Sequence, residues 1–254
     1  MSFTDSDQAH RFCRELIDSF QGLDQRQGSQ AFDSVISASQ YLPAYEWVIA
    51  QIPRGAAVLD WGCGTGHFSH FLDRFGYAVT PFGFEEPDFL AHIDSHCAKN
   101  FVKATHVTTL PFESNTFDAV VSIGVLEHVR EFKGSEIGSL REINRVLRPG
   151  GYFFCYHLPN KFSWIEGLSA VLGRWHHEYR FTAGEIARLC QAAGLKMDDC
   201  RRYGVLPRNM MGSSVPGRLL GHVISPRVFE TADDVLERLL PVIAQNYMFT
   251  AQKF

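Results

Sequence analysis

Three features of this 254-residue chain are equipped for chemistry. The first is the run AAVLDWGCGTG, residues 56–66, where Asp60 precedes Gly62, Gly64 and Gly66 at every second position. Glycine weakens strand and helix interiors, so a cluster of it marks a turn that other residues cannot make. The second is Glu85, closing YAVTPFGFE, 19 positions after Gly66 (85 − 66 = 19). The third is the adjacent pair Glu127 and His128 in VLEHV, a carboxylate beside a group that moves protons near neutral pH. A carboxylate aimed at a ligand repels an anion and attracts an ammonium group. A dinucleotide turn instead runs GxGxxG and rests a pyrophosphate on a helix N-terminus. Counted from Gly62, the third glycine of that pattern falls at His67, so the turn speaks against a nicotinamide cofactor.

These groups need elements to position them. Apolar residues Phe12, Leu16, Ile17 and Phe20 predict a helix over 7–20, followed by a polar loop over 21–30 and a helix over 38–52. Strands and helices then alternate. AAVLD, YAVTPFGFE, NFVKATHV, FDAVVSIGV and YFFCYHL read as strands, with KMDDCRRYGVL and NYMFTAQKF as two final ones. HFSHFLDRFG, PDFLAHIDSHCAK, GSLREINRVLRPGG and TAGEIARLCQAAG read as helices, the last opened by Thr182 with Glu185 three residues on. The alternation predicts an α/β fold, a doubly wound and mostly parallel sheet of seven strands with helices on both faces. Ligands of such sheets bind beyond the carboxyl ends of the strands, beside the first. A single domain is expected: N-terminal helices over 1–52, a ligand-binding core over 56–205, and insertions at 161–180 and 208–241 on the substrate side.

Composition excludes several classes. A net charge of −4 with 45% hydrophobic residues gives no general pull towards nucleic acid or anionic membranes. Six scattered cysteines contain no CxxC pair, which argues against a disulfide framework and a zinc finger and fits a reducing, cytoplasmic location. No stretch approaches the roughly 18 apolar residues of a membrane span, and the first 20 residues lack the pattern of a secretory leader.

VLDWGCGTG resembles the first motif of the class I S-adenosylmethionine-dependent methyltransferases, and three further motifs follow in the family's order. The resemblance implies that the turn bearing Gly62, Cys63, Gly64 and Gly66 passes under the cofactor's ribose and amino-acid portions. It implies that Asp60 helps hold the amino-acid end. Glu85 would grip both ribose hydroxyls, and Phe84 would pack on the adenine. LPFESNTFDAVVSIGVLEHV resembles the fourth-strand signature, placing Ser122 and Ile123 near the methionine end, and EINRVLRPGG resembles the helix and turn before the fifth strand. Relatives often carry an acidic residue before LPF to receive the adenine amino group. Here Thr105, His106, Thr108 and Thr109 stand there, and His106 is counted among the cofactor contacts.

The Glu127–His128 pair matches one in the ubiquinone-pathway O-methyltransferases and their relatives, implying a base and its orienting carboxylate. Two adjacent ligands are too few for a metal site, and no metal is expected. His67, His157, His176 and His177 are further candidates on the rim. The expected activity is methyl transfer from S-adenosylmethionine to a small-molecule acceptor, at oxygen, releasing S-adenosylhomocysteine. The competing expectations are a cofactor-binding protein without transfer activity and a nicotinamide-dependent oxidoreductase.

Overall fold

The computed structural model describes residues 5–20, 29–93, 95–208 and 225–254. Most of the expected loop at 21–30 and residues 209–224 of the second insertion lie outside the described residues. Helix α1 (Asp5–Phe20) is followed by the short α2 (Val35–Ala38) and by α3 (Leu42–Gln51). The single helix expected over 38–52 is thus broken. Pro43 lacks an N–H and sits in the first turn of α3, the place where a helix tolerates it.

The strands are β1 (Ala57–Trp61), β2 (Ala78–Gly83), β3 (Val102–Lys103), β4 (Phe117–Ile123), β5 (Leu147–Pro159), β6 (Leu195–Tyr203) and β7 (Asn246–Lys253). They form one sheet in the order 3-2-1-4-5-7-6, parallel except for β7, which runs antiparallel between β5 and β6. This is the Rossmann-like arrangement expected. Two expected elements shrink: the third strand keeps two residues at the sheet edge, and PDFLAHIDSHCAK yields only α5 (Asp88–His92) and a 3₁₀ turn.

Helices α4 (His67–Arg74), α6 (Glu136–Val146), α7 (Trp164–Val171), α8 (Ala183–Ala192) and α9 (Pro226–Leu239) complete the chain. Alternate residues of the central strands feed two cores, as a period of two requires. Val58, Ala119 and Val121 pack with α1, α3 and α4, while Leu59, Trp61 and Val120 pack with α6 and α8. The capping box at α8 forms as expected: Thr182 Oγ1 accepts from the Glu185 N–H at 3.3 Å, and Glu185 Oε2 accepts from the Thr182 N–H at 2.8 Å. All six cysteines are free. Among the described residues no helix is long and apolar enough to cross a membrane.

One buried ion pair ties the carboxyl-end insertions to the N-terminal helices. Asp233 of α9, with no exposed surface, accepts from the N–H groups of Val205 and Leu206, each at 2.8 Å, and from the Arg208 guanidinium at 2.9 Å. Arg208 Nη1 in turn donates to Ser39 Oγ at 3.1 Å.

Candidate active site

The order of the sheet reverses at β1, whose neighbours are β2 on one side and β4 on the other. A cleft of about 1090 Å³ opens above the carboxyl ends of these three strands. That lies at the upper end of the roughly 300–1,000 Å³ of small-molecule sites, large enough for a nucleoside and a second ligand.

The glycine turn forms its floor. Phe82 O at the end of β2 accepts from the N–H groups of Gly62 and Cys63 at 2.8 and 3.0 Å, folding the chain sharply off β1. Gly62 has φ +79°, and a Cβ there would lie 2.5 Å from a Val125 methyl, so the turn and the segment after β4 approach each other closely because no side chain intervenes. Gly64 differs. Its φ is +49°, and a Cβ there would meet only Gly62 O at 3.8 Å, so the position faces open cleft.

Asp60 is nearly fully buried beneath this turn and accepts from Ser69 Oγ, in the first turns of α4, at 2.5 Å. Burial pushes its carboxyl up to about 7, against the opposing pull of the Ser69 hydrogen bonds. Among the described residues no cation pairs with it. Glu85 lies beyond the end of β2 rather than on it, exposed on the cleft wall, with no partner among the described residues. Phe84 beside it is stacked on Phe132, ring centroids 5.0 Å apart, and both line the cleft. His106 Nδ1 accepts from the Thr108 N–H at 3.2 Å, which leaves its Nε2–H as a donor.

At the other end stand Glu127, His128 and His177. His128 Nδ1–H donates to Glu131 Oε1 at 2.8 Å, and His177 Nδ1–H donates to Glu166 Oε1 at 3.0 Å. The two imidazole centroids are 5.5 Å apart. Glu127 is 2% exposed; burial drives its carboxyl up to about 8, and its Oε2 has no hydrogen-bond partner among the described residues. Burial also raises the Glu166 carboxyl, but the two hydrogen bonds from His177 outweigh it and hold the group below its ordinary value. Trp175, 71% exposed, packs edge-on against His177 at the mouth.

Of the residues singled out in the sequence, Asp60, Gly62, Cys63, Gly64, Phe84, Glu85, His106, Ile123 and His128 all line this one cleft. Three do not. Gly66 packs beneath Leu90 and Pro87, Ser122 is fully buried in β4, and Glu127 lies behind His128. His67, buried on the wall, accepts or donates through Nδ1 to the Tyr45 hydroxyl at 2.9 Å, and burial pushes it down to about 3, keeping it neutral. His157 adopts φ +64° and is likewise driven down to about 3 by burial. The sequence did not mark Glu131, Glu166 or Phe132. The i,i+3 spacing of His128 and Glu131 on one turn was the available signal for the first; Glu166 and Phe132 gave none.

Residues 59–155 match the family described as Methyltransferase domain. The chain is 30% identical over 169 residues to a ubiquinone biosynthesis O-methyltransferase of Xanthomonas axonopodis, covering 61% of this chain and 69% of that one. It is 36% identical over 115 residues to the cycloartenol-C-24-methyltransferase of Arabidopsis thaliana, covering 41% and 32%. The fold is similar to the solved structure of a Burkholderia thailandensis 1,6-didemethyltoxoflavin-N1-methyltransferase, which holds S-adenosylhomocysteine. That likeness has a TM-score of 0.56 at 21% identity and covers 100% of this chain and 92% of that one. The chain spans 54% to 69% of the length of the first curated relatives it matches.

Proposed function

This chain belongs to the S-adenosylmethionine-dependent methyltransferases, and we propose that it methylates a hydroxyl oxygen of a small-molecule acceptor lodged beside His128. The observation that carries this reading is a single cleft running from Glu85 and the glycine turn to His128 and His177. The residues present suit the cofactor. Asp60 is a buried carboxylate without a cation, complementary to an ammonium group. Glu85 offers two acceptor oxygens to a vicinal diol. Phe84 and Phe132 provide apolar faces for a purine, and His106 Nε2–H can donate to a purine ring nitrogen in place of the usual acidic contact.

When bound, the cofactor supplies a methyl carbon made electrophilic by a sulfonium, so alignment of the acceptor is the protein's chief task. The turn from Ile123 to Val125 fixes where the two ligands meet. With Nδ1–H committed to Glu131, the Nε2 lone pair of His128 is free to act on the acceptor's hydroxyl. Two other imidazoles of the region, His67 and His157, stay neutral and buried, so they shape the wall rather than shuttle protons.

Titration with S-adenosylhomocysteine in a calorimeter tests the cofactor half, and transfer of a labelled methyl group across a panel of phenols, quinols and sugars tests the rest. Glu85→Ala removes two charge-assisted hydrogen bonds, each worth about 1.5–3 kcal/mol, and is expected to weaken binding about 100-fold or more. Heat with a nicotinamide dinucleotide but none with S-adenosylhomocysteine would overturn the reading.

A pH dependence follows from Asp60. Its carboxyl titrates near 7 in the free protein, and an ammonium group favours the ionised form. Below pH 7 a proton must therefore leave as the cofactor binds. Affinity should fall up to tenfold per pH unit on the acid side and level off above 7. Calorimetry at pH 6 in buffers of different ionisation heat should register close to one proton released in the wild type and none in Asp60→Asn.

A further inference from the structure

Resting on the methyltransferase reading, we infer that Glu127, His128 and His177 hold a divalent transition-metal ion of the zinc class on the acceptor side of the cleft. One ligand atom from each of the three lies within 4.8 Å of the others. His128 Nε2 stands 3.9 Å from Glu127 Oε1. A tetrahedral ion with bonds of about 2.0–2.2 Å holds its ligands roughly 3.3–3.6 Å apart, so small side-chain rotations close the site.

Three observations distinguish this group from a chance cluster. Each imidazole is backed by its own carboxylate, Glu131 behind His128 and Glu166 behind His177, and both bonds run through Nδ1–H. That arrangement fixes the tautomer in which Nε2 carries the lone pair, the second-layer pattern of metal-ligating histidines. Glu166 also accepts the His177 backbone N–H at 2.8 Å, so its two oxygens anchor the loop as well as the ring. Finally, Glu127 is 98% removed from solvent (2% exposed), yet its Oε2 has no hydrogen-bond partner among the described residues. A buried carboxylate oxygen in that condition awaits a donor or a cation.

Two histidines and one carboxylate form a donor set of catalytic zinc sites, which keep a position open. The cleft lies on that open side, since His128 and His177 both line it. An acceptor hydroxyl held there would ionise more readily: its O–H bond breaks, the proton goes to solvent, and the electron pair stays on oxygen. The site therefore selects phenolic or enolic acceptors over amines. The expectation of no metal counted only the adjacent pair; His177, 49 positions further on (177 − 128 = 49), is the ligand that the fold adds.

The test uses the full chain, stripped with a chelator and titrated with Co²⁺ and then Zn²⁺. One Co²⁺ per chain is expected, with a visible absorption band that Zn²⁺ abolishes. His177→Ala and Glu127→Gln should each weaken Co²⁺ binding at least 100-fold, and Glu166→Gln about 10–100-fold. His92→Ala, an exposed histidine elsewhere, should leave it unchanged. Glu166→Gln keeps its size and decides the matter should Glu127→Gln fail to fold. Absence of stoichiometric uptake by the wild type, or uptake equally tight in His177→Ala and Glu166→Gln, overturns the proposal. S-adenosylhomocysteine titrated into the same samples separates the two readings. Binding of that compound without uptake of the ion sinks the metal site alone. Uptake of the ion without binding of that compound sinks the cofactor assignment on which it rests.

Discussion

Gly64→Val is expected to abolish measurable S-adenosylhomocysteine binding, at least a 100-fold loss by calorimetry, while the protein still folds. A Cβ at this position meets only Gly62 O at 3.8 Å, so nothing in the protein resists the new side chain. Its methyl groups would project into the cleft over the floor on which a ligand must lie. The residual cost is the left-handed backbone, φ +49°, at about 1–2 kcal/mol for a residue with a Cβ and more for a branched one. For a chain of this size that corresponds to a fall of roughly 4–8 °C in Tm. Gly62→Ala separates the two effects from the other direction. Its Cβ would sit 2.5 and 2.8 Å from the Val125 methyls, so the segment after β4 must move and the Tm should fall further. A Gly64→Val protein that binds the compound as tightly as wild type would remove the glycine turn from the cofactor site.

Asp233→Ala should have the largest effect on stability, a loss of about 3–5 kcal/mol and roughly 6–20 °C in Tm by thermal denaturation. Four donors converge on this carboxylate: two backbone N–H groups at the end of β6 and two guanidinium nitrogens of Arg208. Removing it leaves a cation that is only 14% exposed and two N–H groups unpaired in a buried setting, which costs more than the attraction itself was worth. Because Arg208 also donates to Ser39, the change should loosen α9 from α2 and the N-terminal helices together. The double variant Asp233→Leu/Arg208→Leu tests the cause: it should recover much of the loss, since no charge is then stranded. A Tm within 2 °C of wild type for Asp233→Ala would show that the pair contributes nothing.

The sheet was legible because its information is local. AAVLD, FDAVVSI and YFFCYHL are apolar at every position, as strands buried on both faces must be, and each is bounded by glycine or proline. The elements that shrank or broke are those at the edge or under tertiary competition. Strand β3 has a neighbour on one side only, and α3 starts anew at Pro43 although the apolar pattern runs on. The antiparallel entry of β7 between β5 and β6 leaves no mark in NYMFTAQKF, because an alternation of side chains carries no direction.

The sequence by itself determined the turn, the two carboxylates Asp60 and Glu85, and the pair Glu127–His128, since spacing along a strand and turn fixes which groups share one end of a sheet. It was silent on charge state and on partnership. Only the packed chain buries Asp60 and Glu127 deeply enough to move their carboxyls to about 7 and 8, because desolvation depends on every neighbour at once. Only the packed chain brings Glu166 and His177 across from a segment some 40 residues away to face His128. Contacts of that length are set by how helices and loops close over a core, and no short window of residues contains them.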